Sequence, residues 1–190
     1  MSQAKLPKIR AATAAEVCAS MDLPKEAKQL LQDGMSPREF LTALLEKQKY
    51  LAAIDFMAHA FEVREGLWWG CLCMQHALGD HLAPPDRAAA IAAVRWLMKP
   101  TEENRAAAKA PGEAAGPMSP AGALAAAVGL TGGSVYPPEL PFKPPEPFAA
   151  HEAIARAVTL ASIKGDPKKI VAAQRSYVEL AIAVAEGQGI

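Results

Sequence analysis

Apolar residues recur at helical spacing along nearly the whole chain, interrupted by short polar, proline or glycine punctuation. After an opening tip expected to be flexible over residues 1–12, Thr13 and Glu16 stand at capping-box spacing and predict a short helix. Leu23-Pro24 resets the chain, and a second helix is expected up to Gln32, stopped by Gly34. Ser36, Pro37 and Glu39 form a stronger start signal: an N-cap serine, proline at the first helical position and glutamate at the third. Phe40, Leu41, Leu44 and Leu45 then share one face. Tyr50, Leu51, Ile54, Met57, Ala58 and Phe61 keep the same period, and a break is expected near Val63. Beyond it Leu67, Trp68, Cys71, Leu72 and Gln75 lie together on the helix 65–77. Gly79-Asp80 and Pro84-Pro85 bracket a turn, after which Ile91, Val94 and Met98 mark the next stripe.

Pro100 to Glu103 opens a further helix with acids in its first turn, where the helix dipole favours them. Ser119-Pro120 opens a short alanine-rich one that Gly129 or Gly132-Gly133 ends. Two last helices cover 149–163 and 167–186, the final one with a broad stripe through Ile170, Tyr177, Val178, Ala181 and Val184. The pattern therefore predicts an all-α fold: one domain over residues 13–190, with about nine or ten helices. No period of solenoid length repeats.

One segment escapes the pattern. Residues 131–148 carry six of the sixteen prolines, and a structureless link of that length inside a compact domain is uncommon. Near polyproline II geometry, residues 136–148 span roughly 40 Å, against a radius of gyration of about 16 Å for a domain of this size. Val135, Tyr136, Leu140, Phe142 and Phe148 supply apolar anchors that a free linker would not need. The segment reads as a strap laid across the body. The rival readings are a proline-rich recognition surface for a partner groove and simple disorder.

Composition sharpens the fold and empties the list of chemistries. Alanine accounts for 41 residues, so helices must pack by close approach as much as by large side chains. Twenty acids balance twenty bases, and without a basic patch nucleic-acid binding loses its main driving force. No uninterrupted apolar run is long enough to span a bilayer, and the N-terminus does not read as a secretory signal. Three cysteines in apolar helical surroundings suit a reducing cytoplasm. Membrane insertion is not expected, and the cytoplasm is the expected location.

Cys71, Cys73, His76 and His81 are metal-ligand types, but Cys71 and Cys73 point about 200° apart on one helix and a fourth ligand is missing. Neither a metal nor a cofactor is expected. Thr131 to Ser134 lacks the lysine of a phosphate loop and reads as helix termination. The histidines have no nucleophile at a suggestive spacing, so no catalytic residue is assigned. Trp68 and Trp69 diverge by about 100° on a helix, leaving one for the core and the other for a flank or partner. Gly66 and Gly70 beside them permit close approach of another helix. Candidate protein-binding residues are Trp68, Trp69, Tyr136, Leu140 and Phe142.

Taken in order, Ala58 to Phe61, Arg64 to Cys71, Pro100 to Ala107, Ser119 to Gly122, Gly132 to Ser134 and Pro137-Pro138 resemble an uncharacterised bacterial family, a domain of unknown function of about this length. The resemblance covers nearly the whole chain from Ala15 and supplies no activity. It implies gene neighbourhoods near type VI secretion accessories, and with them an adaptor or chaperone-like role toward a secretion component or effector. The expected function is thus a non-catalytic cytoplasmic protein-binding accessory. The alternatives are an enzyme or small-molecule binder with its pocket under the 131–148 loop, and a structural homo-oligomer.

Overall fold

Helix starts follow the capping side chains the chain provides. The computed structural model describes residues 6–79, 81–137 and 139–188; the expected flexibility of residues 1–5, the turn position Asp80 and Pro138 of the loop lie outside the described residues. Before α1 (Ala14–Cys18), Thr13 Oγ accepts from the Glu16 N–H at 3.3 Å while Glu16 accepts from the Ala12 N–H at 3.0 Å. After the single turn α2 (Lys25–Lys28), Ser36 closes both arms of a capping box with Glu39 at the head of α3 (Pro37–Glu46). These reciprocal bonds hold the Glu39 carboxyl below its usual range.

The remaining helices are α4 (Tyr50–Ala60), α5 (Val63–Leu78), α6 (Pro84–Met98), α7 (Glu102–Ala107), α8 (Lys109–Ala115), α9 (Pro120–Gly129), α10 (Ala149–Ser162) and α11 (Ile170–Ala185), the last preceded by a 3-10 turn at Pro167–Lys169. Among the described residues there is no strand, only an isolated bridge between Ile9 and Phe61. The fold is all-α. The helix expected from Pro100 onward is two, because Pro111 has no N–H to donate back to Ala107 and the chain kinks at Ala108.

The bridge sets part of the N-terminal segment, expected as a tip, against the body. Leu6 and Ile9 are buried, and the Lys8 N–H donates to Ala185 O at 3.1 Å. Pairing with Ile9 holds Phe61 extended, which places the α4–α5 break just ahead of Val63.

Close approach organises the rest. Helix α9 is apolar almost all round and sits among α5, α6, α8 and α10, as a fully buried helix must. A Cβ on Gly122 would fall 2.2 Å from the Gly116 carbonyl oxygen and 3.2 Å from that of Gly112. Gly66 faces Ile154 of α10 and Gly70 faces Leu124 of α9, the approach that this glycine pair predicts. Helix α6 meets the core through Ala89, Ala90, Ala92, Ala93 and Leu97. Its larger residues Ile91, Val94 and Met98, which the sequence pattern marks as its stripe, point outward. The stripe of α11, the sequence clue to an oligomer, is largely taken up internally, with Tyr177, Val178, Ala181 and Val184 buried. Phe40 and Phe56 meet edge to face at 5.1 Å in the same core.

Gly122→Ala should destabilise the fold by about 2–3 kcal/mol, because the methyl has backbone and no flexible side chain to displace. Gly129→Ala, where nothing lies within 4 Å, should stabilise by about 0.5–1 kcal/mol. Urea unfolding of the two variants checks both signs.

Candidate protein-binding loop and its footings

The loop joining α9 to α10 does not cross the body. Ser134 Oγ accepts from the Tyr136 N–H at 3.1 Å and from the Lys143 N–H at 3.2 Å, and the Val135 N–H donates to Lys143 O at 2.8 Å. The chain leaves at Val135, turns through the prolines and returns to its own start. A strap would bury its anchors, whereas Val135, Tyr136, Leu140, Phe142 and Phe148 are all exposed, Phe142 by 71%. The physical reason is local. Six prolines each remove a backbone donor here, and one serine hydroxyl collects two of the N–H groups that remain. The Lys143 ammonium lies 5.7 Å from the centroid of the Tyr136 ring and pairs with Glu146 at 3.4 Å, which stiffens the crossing point.

The first footing is Arg105 of α7. Its Nη1 donates to the carbonyl of Gly129 at 2.8 Å, capping the end of α9, while Nε and Nη2 fork onto Glu102 at 2.6 and 2.5 Å. That fork pulls the Glu102 carboxyl below its usual range and raises the guanidinium. The chain then passes over the guanidinium at Gly133, whose φ is +70° and where a Cβ would lie 2.2 Å from Arg105 Nη2. Sequence reading explained Gly132-Gly133 as helix termination alone. The signal it missed is that an arginine from a preceding helix needs the room.

The second footing is Phe148, held in the left-handed region at φ 63°. Its ring packs 6.1 Å from His59 and 5.6 Å from His151, and the two imidazoles stack at 5.7 Å. His59 Nδ1 bonds Asp55 O at 2.9 Å, leaving His59 Nε2 and His151 Nδ1 buried without partners among the described residues. Burial first and His59 second push the His151 pKa below 6.5, against the weaker pull of the Phe61 backbone and Glu62.

The five predicted binding residues separate. Trp69 is fully buried and its Nε1 donates to Tyr177 O at 2.8 Å; it belongs to the core. Trp68 is 42% exposed and lines grooves between α5 and α6 that share no residue with the groove beside the loop. Tyr136, Leu140 and Phe142 stay together on the loop. The groove beside the loop holds about 460 Å³ over a floor of small residues including Gly122, Ala126 and Gly129, with Lys109 and Arg156 at its rim. Across Arg156, a cleft of about 580 Å³ gathers Asp55, His59 and Glu152, and burial raises the Asp55 carboxyl.

No group of three His, Cys, Asp or Glu side chains converges to hold a metal among the described residues. Burial pushes the Cys71 thiol up to about 12 and Cys73 well above the usual value, so neither offers a thiolate near neutrality. No described helix is long and apolar enough to cross a membrane.

The depressed pKa of His151 means that the unfolded chain takes up a proton more readily than the fold. Its stabilising contribution is complete above about pH 6.5 and is lost as pH falls from there toward the folded value. Stability from urea melts should therefore decline below that pH, with a shallower decline in His151→Asn. Arg105→Ala should loosen the loop base, seen as faster amide exchange at Val135 and Lys143 with α3 and α4 unchanged.

No curated protein and no solved structure shows significant similarity to the chain. A family model matches residues 40–185, a span that runs from within α3 to the end of α11 and holds the loop with both footings. The chain belongs to DUF6931, a family of unknown function.

Proposed function

We propose that the protein is a non-catalytic binding accessory that presents the 131–148 loop to another protein. The observation that carries this reading is the exposure of Tyr136, Leu140 and Phe142 on a segment closed by its own hydrogen bonds and clamped at both ends. Large apolar side chains on a surface are commonly scattered; three on one restrained loop form a patch suited to a partner. Proline and the Ser134 bonds have already removed much of the loop's freedom, so little ordering remains to oppose association. The partner's chemistry follows from the segment Pro141 to Pro147: a groove walled by aromatic rings, able to receive proline faces and the Phe142 ring. On the resemblance stated above, that partner would be a cytoplasmic secretion component or effector of a type VI pathway.

A second reading is favoured by the groove beside the loop, where Lys109 and Arg156 rim an apolar floor. It would take a small apolar anion, held by its charge at the rim.

Affinity purification from the native cell with the wild type, with a Tyr136→Ser/Leu140→Ser/Phe142→Ser variant and with Lys109→Ala/Arg156→Ala separates the two. The first reading expects a partner that the loop variant loses and the rim variant keeps, with thermal melts unchanged because all three loop side chains are exposed. A partner retained by the loop variant would overturn it.

A further inference from the structure

Helix α6 turns Ala89, Ala90, Ala92, Ala93 and Leu97 to the core and leaves three large apolar side chains outside. Ile91, Val94 and Met98 are 51, 39 and 78% exposed, spaced so that they share one face. Beside them Arg64, Trp68 and Leu72 stand one turn apart along α5. Along the two helices lie grooves of about 480 and 380 Å³ that meet at Trp68 and Val94, the smaller one walled also by Lys8, Val184, Gly187 and Gln188. Their walls run from Arg64 to Gln75 on α5 and from Arg87 to Met98 on α6, roughly 16 Å or three helical turns at about 1.5 Å per residue.

The charges along this channel are one-sided. Arg64 and Arg95 line it, while Lys8 is offset at 3.7 Å by Glu65, the one acid among its described lining residues. Arg64 and Arg95 enter no ion pair among the described residues. An apolar channel three turns long with a cationic rim is complementary to one kind of occupant.

We infer that the α5–α6 face receives an amphipathic helix of another protein, about three turns long, whose apolar stripe is flanked by aspartate and glutamate. A second copy of this chain fits worse, because a two-fold contact through this face would set cationic rim against cationic rim. An anionic bilayer fits worse too, since a groove between two helices matches the rounded stripe of a third helix and not a flat surface. Because this channel and the groove beside the loop have no lining residue in common, the inference stands apart from the loop's role, and together they would let one molecule bridge two partners.

The probe is a displayed library of three-turn amphipathic peptides with flanking positions varied among Asp, Glu, Lys, Arg and Gln, selected against the full chain. Selection should return acidic flanks. The best peptide should bind about tenfold more weakly to Trp68→Ala and to Met98→Ala, and weakly or not at all to Arg64→Glu/Arg95→Glu. It should bind the loop variant Tyr136→Ser/Leu140→Ser/Phe142→Ser like the wild type. Each substituted side chain is exposed, and unchanged thermal melts confirm that the variants fold. Neutral or basic flanks among the selected peptides, or undiminished binding by Arg64→Glu/Arg95→Glu, would overturn the inference. So would a wild-type dimer in sedimentation that Trp68→Asp dissolves, or Trp68-dependent binding to phosphatidylglycerol vesicles in place of peptide.

Discussion

How closely backbones can approach around α9 decides most of this structure. At Gly122 the neighbouring chain at Gly116 lies so near that a single methyl has no room, and Ala125 meets Gly112 almost as tightly. Packing of this kind draws on the density of the contact and not on large buried side chains. It also dictates what α6 can do. To reach α8 and α9 at such short range it must offer alanines, and its isoleucine, valine and methionine are left on the far side. The exposed apolar face is therefore a consequence of how the core is built.

The same helix launches the loop, and the two ends of the loop are fixed by unlike means. At the start, a guanidinium neutralised by Glu102 caps α9 and serves as the surface over which the chain turns. At the end, a phenylalanine in an uncommon backbone conformation rests on two stacked imidazoles. One footing is electrostatic and remains charged across ordinary pH. The other is ring packing, where burial first and the neighbouring imidazole second push the His151 pKa down.

Much of the architecture was legible because its signals are local. The Thr13 and Ser36 capping patterns, the glycine pair flanking the tryptophans and the all-α class each rest on residues a few positions apart. What was not legible depends on distant partners. Residues 6–12 look like a polar tip until Phe61 and Ala185 supply hydrogen bonds. The α6 stripe of Ile91, Val94 and Met98 reads as a core face because amphipathic patterns assume that large apolar residues turn inward, and here four alanines and Leu97 do. The loop's apolar residues look like anchors for a strap. A hydroxyl at Ser134 closes the segment on itself, and no spacing rule announces that. Of the proposed binding residues, adjacency on a helix predicted that one tryptophan would be buried, but not which.

The closure between Val135 and Lys143 divides the loop into two parts under unlike physical constraint. Residues inside the ring touch little of the body, so their length and identity can drift without disturbing the helices, since enlarging a closed surface loop adds only slowly to its entropy. Residues at the ring's base cannot drift, because Gly133 must clear an arginine and Ser134 must serve two donors. The ring can therefore change what it displays while the base that holds it stays the same. The fold would then act as a fixed handle for an exchangeable tip.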